Sequence, residues 1–97
     1  MGTHDRFDMA LRRARKAKGL TQEDFAISSS RTYVSMLERG VRSPTLAKVG
    51  ELADTLDMHP LSLLTLAYLD ADADPAAAEK LLRKVQAAVV AIAGTKG

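Results

Sequence analysis

The amino-acid sequence predicts an all-α fold, in which a compact five-helix domain is followed by an additional C-terminal amphipathic helix. Apolar residues recur three and four positions apart between Gly, Pro and capping residues, which is the spacing of one face of a helix. No segment alternates between apolar and polar residues as a half-buried strand does. Only four of the 97 residues are aromatic, so aliphatic side chains must form most of a single core.

The first two predicted helices are separated by glycine. The first runs from about Asp5 to Lys18 and ends at Gly19, because glycine readily adopts the left-handed conformation that follows many helices. Thr21 caps the second, and Asp24, three residues later, completes a capping-box pair. The inward-facing residues of this second helix are Phe25 and Ala26.

The third predicted helix is short, and one of its sides is polar. Ser30 is its N-cap, and it ends before Gly40. The core side consists of Val34, Leu37 and, after the glycine, Val41. Four residues at the i, i+3, i+4, i+7 spacing share the opposite face: Thr32, Ser35, Met36 and Arg39.

Proline marks the start of the last three predicted helices. Pro44 and Thr45 precede the fourth, whose inward residues are Leu46, Val49, Leu52, Ala53 and Leu56. Pro60 begins the fifth, PLSLLTLAYL, which is apolar nearly all round and must therefore be covered on two sides. The sixth starts at Pro75 after the acidic linker DADAD and runs to about Ala93.

The charge distribution divides the chain into a basic front half and a mildly acidic back half. Residues 1–43 carry nine Lys or Arg against five acids, and residues 44–97 carry five against seven. This asymmetry indicates that one end of the protein meets a polyanion. We expect residues 1–69 to form the domain that meets it, and residues 70–97 to form the linker and a dimerisation helix.

Several functional classes find little support. No nucleophile lies beside a base, no Gly-rich phosphate loop is present, and the two histidines, His4 and His59, suggest no catalytic pair. We therefore expect no enzyme, no cofactor and no metal site. There is no cysteine, and no apolar run approaches membrane-spanning length, so we expect a cytoplasmic protein without a membrane partner.

The second and third predicted helices, joined by a tight polar turn, form the arrangement of a helix-turn-helix. Near the start of a helix lying in the major groove, a side chain can reach base edges, and Arg matches the two acceptors of guanine. Four segments, GLTQEDFA, SRTYVSMLERG, RSPTL and LADTLDMHPLSLL, together resemble the DNA-binding domain of the phage repressor and Cro group, the XRE-like family of transcriptional regulators. The resemblance covers roughly residues 5–66.

The resemblance implies particular DNA contacts. Gln22 corresponds to the family glutamine that binds a phosphate and braces the recognition helix, and Ser29 and Ser30 are capping residues with phosphate contact as a second role. Arg31 and Thr32 fall on base-reading positions. Three residues fall at positions where relatives contact the DNA phosphate backbone after the recognition helix: Arg39, Arg42 and Ser43.

Four further residues have roles that remain open or structural. Met36 falls on a third base-reading position, where it contacts a thymine methyl or is merely tolerated. Tyr33 either wedges against the core or gives its hydroxyl to a phosphate. Arg15 matches the arginine of the first helix that pairs with the family glutamate, here Glu38, and we expect this ion pair to be partly buried.

One segment departs from the family pattern. The stretch between FA and the cap of the recognition helix, ISSS, is about two residues shorter than in most relatives. The second helix is therefore expected to end earlier, or the turn after it to be tighter.

The sixth predicted helix carries a coiled-coil-like seam. Its apolar residues are spaced 4, 3, 4, 3 at Ala78, Leu82, Val85, Val89 and Ile92, with Leu81 and Ala88 widening the stripe. The helix either folds back on its own domain as core or pairs with a second copy. The sequence thus predicts a homodimer that binds a two-fold-related operator on double-stranded DNA; the alternative is a helical protein-interaction module, an adaptor or antitoxin-like binder of a protein partner.

Overall fold

The computed structural model describes residues 6–26, 30–70 and 72–95. Within these ranges the chain forms five α-helices and one 3₁₀ turn, and no β-strand. The elements are α1 (Phe7–Ala17), the 3₁₀ turn (Gln22–Phe25), α2 (Arg31–Glu38), α3 (Leu46–Thr55), α4 (Pro60–Tyr68) and α5 (Pro75–Ala93). The predicted all-α class is confirmed, and the predicted third to sixth helices correspond to α2 to α5.

Side-chain caps fix where most of the helices begin. Four residues that precede a helix accept a hydrogen bond from a backbone N–H of its first turn, at 2.9–3.1 Å: Ser30, Thr45, His59 and Asp74. Each cap satisfies a donor that has no partner within its helix. The predicted N-cap Ser30 and the predicted range of the last helix are both confirmed.

The predicted second helix is only a 3₁₀ turn, Gln22–Phe25. Thr21 and Asp24 form the predicted capping pair, in which the Thr21 N–H donates to the Asp24 carboxylate at 2.6 Å. Because the element ends at Phe25, it has room for one buried residue, and Ala26 is exposed rather than inward-facing. This early end agrees with the short ISSS segment.

The hydrophobic core is built from α1, the 3₁₀ turn, α2, α3 and α4. Its largest fully buried side chains are Leu11, Phe25, Val34, Leu37, Leu52, Leu56 and Leu63. Helix α1 lies against α2 and α4, and the Arg6 N–H donates to the Ala67 carbonyl at 2.8 Å, joining the start of α1 to the end of α4.

Two further residues predicted to be buried are exposed. Val41 is 63 % exposed and Leu46 is 79 % exposed. Val41 follows the left-handed turn at Gly40, so the helical periodicity of α2 no longer applies to it. Leu46 is the first residue of α3 and lies about 70° round the helix from the centre of the buried stripe, at its edge.

Helix α5 stands apart from the core. It packs against α4, but none of its residues is buried. Ala77, Ala78 and Leu81 are half-buried, and every later residue of the helix is exposed. Among the described residues, no helix is long and apolar enough to cross a membrane.

Asp57 ends α3 in a conformation that suits glycine better. Its φ is 56°, and the Met58 N–H donates to the Ala53 carbonyl at 3.0 Å, which is the hydrogen bond of a Schellman motif. We expect Asp57→Gly to raise the free energy of unfolding by about 0.5–1 kcal/mol. The left-handed conformation costs a residue with a side chain about 1–2 kcal/mol, and glycine avoids this cost. Part of the stabilisation is lost because glycine gives the unfolded chain more conformational entropy. Urea denaturation measures the change. Asp57→Ala is the control and should be less stable than the parent; equal midpoints for the Gly and Ala variants would contradict the argument.

Candidate nucleic-acid interface

Helix α2 buries one side and exposes the other. Val34 and Leu37 are completely buried, whereas Arg31, Thr32 and Arg39 are exposed. Ser35 and Met36, on the same side as Thr32 and Arg39, are half-buried. The helix therefore presents a side with hydroxyl groups and two guanidinium groups, all of which can donate hydrogen bonds.

Arg15 and Glu38 join α1 to the end of α2 through a bidentate ion pair. Arg15 Nε lies 2.6 Å from Glu38 Oε2, and Arg15 Nη2 lies 3.0 Å from Oε1. The side chains are 13 % and 5 % exposed, respectively, so the pair is largely shielded from water. Arg15 Nη1 also donates to the Leu20 carbonyl at 3.0 Å, which ties the segment after α1 to the same guanidinium.

The electrostatics of this pair favour the charged arginine. Hydrogen bonding to Glu38 raises the pKa of Arg15, although burial acts in the opposite direction. Both effects follow from the low exposure of the site, where a charge is expensive to desolvate and a close partner compensates for the loss.

Gln22 links the 3₁₀ turn to the same carboxylate. Its Nε2 donates to Glu38 Oε1 at 3.1 Å, so Glu38 accepts three side-chain hydrogen bonds from residues that the structure describes. An amide nitrogen carries two N–H groups, and the second one can donate to a ligand. Gln22 and Arg31 line a common surface depression of about 310 Å³ together with Arg15, Thr21 and Glu23, which brings the first residue of the turn beside the first residue of α2.

The loop after α2 comes close to the start of α1 at Gly40. Gly40 has a φ of 74°, and a Cβ placed on it would lie 3.2 Å from an oxygen of the Asp8 carboxylate. A shallow depression of about 180 Å³ lies beside this contact and is lined by Arg6, Phe7, Asp8, Gly40, Arg42 and Ser43. The predicted backbone-gripping residues Arg42 and Ser43 are thus brought next to a further arginine, Arg6.

Asp8 is a carboxylate in this basic surrounding. Burial acts to raise its pKa, but hydrogen bonds from Arg6 and from the Met9 N–H hold the pKa below its ordinary value. Arg6 Nε lies 3.2 Å from Asp8 Oδ1, so the negative charge is compensated by the adjacent guanidinium. The Arg6–Asp8 pair therefore adds no net charge beside Arg42.

The Tyr33 ring packs against the core, and two cationic side chains lie over it. The Arg42 guanidinium carbon is 5.7 Å and the Lys48 ammonium 5.4 Å from the ring centroid, which are distances of cation–π contacts. The packing matches the first alternative for this residue, and no contact of the hydroxyl decides the second. Lys48, which also lies 3.0 Å from Glu51, was not identified from the sequence. The sequence did contain a signal for Lys48, because this basic residue lies in the first turn of α3, where the helix macrodipole favours acidic residues.

The remaining predicted site residues are the two serines before α2 and the dimerisation residues of α5. Ser29 lies outside the described residues, whereas Ser30 is exposed and caps α2. The predicted dimerisation residues lie together along α5: Leu81, which is half-buried, and Leu82, Val85, Val89 and Ile92, which are exposed.

Comparison with known proteins identifies the fold family. The family model described as helix-turn-helix matches residues 11–63, more than half of the chain. An uncharacterized HTH-type transcriptional regulator, y4dJ of Sinorhizobium fredii, is 46 % identical over 55 residues, which cover 55 % of this chain and 71 % of that protein. No solved structure matches the chain. The matched region contains the ion pair, the 3₁₀ turn and α2, and the chain belongs to the XRE-like helix-turn-helix family of DNA-binding transcriptional regulators.

Proposed function

We propose that the protein is a sequence-specific transcriptional regulator that acts as a homodimer on a two-fold-related operator. The observation that supports this most strongly is the two-sided character of α2, with Val34 and Leu37 completely buried and Arg31, Thr32 and Arg39 exposed. Regulation is by occupancy: the bound dimer blocks or assists polymerase, and no bond is made or broken. The protein works in the cytoplasm, at the nucleoid, because its target is there.

The proposed contacts separate base recognition from backbone binding. Arg31 and Thr32, in the first turn of α2, contact base edges in the major groove, and Met36 packs on a thymine methyl. The phosphate backbone is contacted by residues before α2 (Gln22, Ser29 and Ser30), by residues after it (Arg39, Arg42 and Ser43), and through the Tyr33 ring, against which two cations lie. Ser35, within α2, lies on the face of the helix that meets the DNA. The Arg15–Glu38 pair holds α1, the 3₁₀ turn and α2 in one arrangement without contacting DNA.

Residues 1–69 form the DNA-binding unit in this proposal, and residues 70–97 form the dimerisation unit. The absence of any buried residue in α5 supports the second part, because an apolar helix gains little by remaining exposed. An adaptor that binds only proteins is the alternative. Such a protein should carry apolar or acidic residues on the exposed side of α2, whereas this chain carries arginine, threonine and serine there.

Selection of bound sequences from random duplex DNA tests the proposed function. We expect enrichment of an inverted repeat whose half-sites lie about 10–10.5 bp apart, or a multiple of that distance, because two heads related by a two-fold axis must meet the same face of the duplex. Recovery of no sequence preference, with binding that depends on salt alone, would contradict sequence-specific regulation and leave only nonspecific DNA affinity.

Arg31 and Arg42 should differ in what they contribute to binding. Arg31→Ala is expected to weaken binding to the selected operator by about 1–3 kcal/mol and to have little effect on random DNA, since it removes a base contact. Arg42→Ala should weaken binding to both DNAs alike and lower the slope of log K against log salt by about one unit, since it removes a phosphate contact. Titrations of both DNAs at several salt concentrations measure these effects.

Arg83→Ala is the matched control, because this exposed arginine lies on α5, away from the proposed DNA contacts and outside the apolar seam of the helix. It should leave the preference for the operator unchanged. Equal losses for Arg31→Ala and Arg42→Ala on both DNAs would show that the two roles are not separate.

A further inference from the structure

The C-terminal half of α5 is apolar on more sides than one partner helix can cover. Residues 85–93 contain no charged side chain. Val89 and Ile92 lie on the predicted seam, whereas Val90 lies about 100° round the helix from Val89. These three residues are 57 %, 72 % and 61 % exposed, respectively. A helix that is apolar around most of its circumference is stable when it is enclosed rather than paired along one edge.

The apolar seam of α5 alone also offers little exposed surface for a dimer interface. A fully exposed aliphatic side chain of this size offers roughly 60–120 Å², so the four exposed seam residues, 42–72 % exposed, offer roughly 130–260 Å² per chain. A specific interface commonly buries about 800 Å² per partner. Val90, Leu61 and Tyr68, each 58–61 % exposed, roughly double the apolar area that can be covered.

A groove of matching character lies between α4 and α5. Its volume is about 310 Å³, and its walls are Leu61, Leu64 and Tyr68 from α4 and Leu81, Leu82 and Val85 from α5. The hydroxyl of Thr65, which also lines it, donates to the Leu61 carbonyl at 2.7 Å. None of the described residues that line this groove is charged, so an uncharged helix could pack against it without leaving a charge unpaired.

Resting on the proposed homodimer, we infer that the C-terminal half of α5 of one copy lies along the α4–α5 groove of the other and fills it with its aliphatic side chains, and that the exchange is reciprocal. The first half of each α5 is then a wall for the second half of its partner, so the two α5 helices run antiparallel and cross near Gln86. Val89 and Ile92 contact one wall of the groove and Val90 contacts the other. The charged residues of α5 all precede position 85 and lie outside the inserted segment: Glu79, Lys80, Arg83 and Lys84.

The arrangement differs from a two-helix coiled coil in a way that mutations can detect. Leu61 on α4 and Val90 off the seam would both remain outside a coiled coil formed by the seam alone. In the reciprocal arrangement both are buried by the partner. Leu61→Glu damages only the groove, and Val90→Glu damages only the inserted helix. Both residues are exposed in the single chain, so neither change should disturb its folding, which circular dichroism checks.

The decisive measurement is native mass spectrometry of each full-length variant alone and of an equal mixture, one of the two carrying a mass tag. We expect each variant alone to dimerise at least about tenfold more weakly than the parent, since each buries a carboxylate without a partner. The mixture forms a heterodimer with two groove–helix contacts. In one contact the unchanged inserted helix of the Leu61→Glu chain packs in the unchanged groove of the Val90→Glu chain. In the other contact both carboxylates meet, and that contact opens. The heterodimer should therefore be the predominant dimer and at least about tenfold tighter than either homodimer.

Lys84→Glu is the control, because Lys84 is exposed and is not among the residues that line the groove, and this variant should dimerise like the parent. If the parent is a dimer and both variants remain dimeric, or if the mixture gives no preference for the heterodimer, the reciprocal arrangement is wrong while the proposed homodimer stands. If the parent itself is monomeric at tens of micromolar, the proposed homodimer and this inference are both wrong.

Discussion

Glu38→Gln is expected to lower the free energy of unfolding by about 3–5 kcal/mol, because it leaves the Arg15 guanidinium buried without its counter-charge. The side chains are 13 % and 5 % exposed, and two hydrogen bonds of 2.6 and 3.0 Å join them, so water can replace the lost partner only in part. The substitution also weakens the hydrogen bond from Gln22, which loosens the 3₁₀ turn from α2. Urea denaturation, followed by circular dichroism at one fixed protein concentration, measures the loss.

Glu51→Gln provides the matched control. It removes the carboxylate of the Lys48–Glu51 pair, whose side chains are 25 % and 50 % exposed, and such pairs contribute about 0–1 kcal/mol. A Glu38→Gln protein that unfolds at the parental midpoint would show that the buried pair adds nothing to stability. A protein that is already unfolded without denaturant would agree with the expectation, because a small domain has only about 5–15 kcal/mol of stability in total.

The helices were predictable because their signals are local. Ser30, Thr45 and Asp74 each lie directly before a helix and bond to its first turn, so a pattern of a few residues contains the whole interaction. The length of α5 follows from the same kind of signal, since Pro75 starts it and its apolar spacing continues to Ala93. No knowledge of distant parts of the chain was needed for these elements.

The misassigned residues all lie at the ends of elements. Ala26 is the residue that ends the 3₁₀ turn, Val41 follows the left-handed Gly40, and Leu46 is the first residue of α3. A helical period predicts direction only inside a helix, and the edges of the buried stripe depend on what packs beside it. Both the change of conformation at Gly40 and the neighbours of Leu46 are properties of the folded chain.

Contacts between distant residues were accessible only where a family resemblance supplied them. The resemblance connects Arg15 with Glu38, 23 positions later, and the structure has these residues in direct contact. No such pattern connects Tyr33 with Lys48, whose ammonium lies 5.4 Å from the ring centroid in the folded chain. The close approach of Gly40 to Asp8 is likewise a consequence of how α1 packs on α2.

A carboxylate on the seam of α5 is expected to separate the two proposed DNA-binding heads. Val85→Glu or Val89→Glu places a charge on residues that are 42 % and 57 % exposed in the single chain and that the proposed dimer buries. Burying that charge without a partner costs several kcal/mol, so the variants should be monomers. Because α5 contributes no buried residue, the core formed by residues 7–67 should fold as before.

The consequence for DNA binding should be much larger than that of any single contact. One head meets only a few base pairs, whereas two heads fixed by symmetry add their contacts on the same duplex, and operator-specific binding is commonly at least about 10³-fold tighter than nonspecific binding. We therefore expect the seam variants to lose operator affinity by about 10³-fold or more, to the level of random DNA. Sedimentation and DNA titration on the same samples measure both effects, and Lys84→Glu, on the charged part of the same helix, should change neither. A chain truncated after Asp70 that still sediments as a dimer and binds the operator normally would show that the dimer does not need α5, because only residues outside α5 would then remain to hold the two heads together.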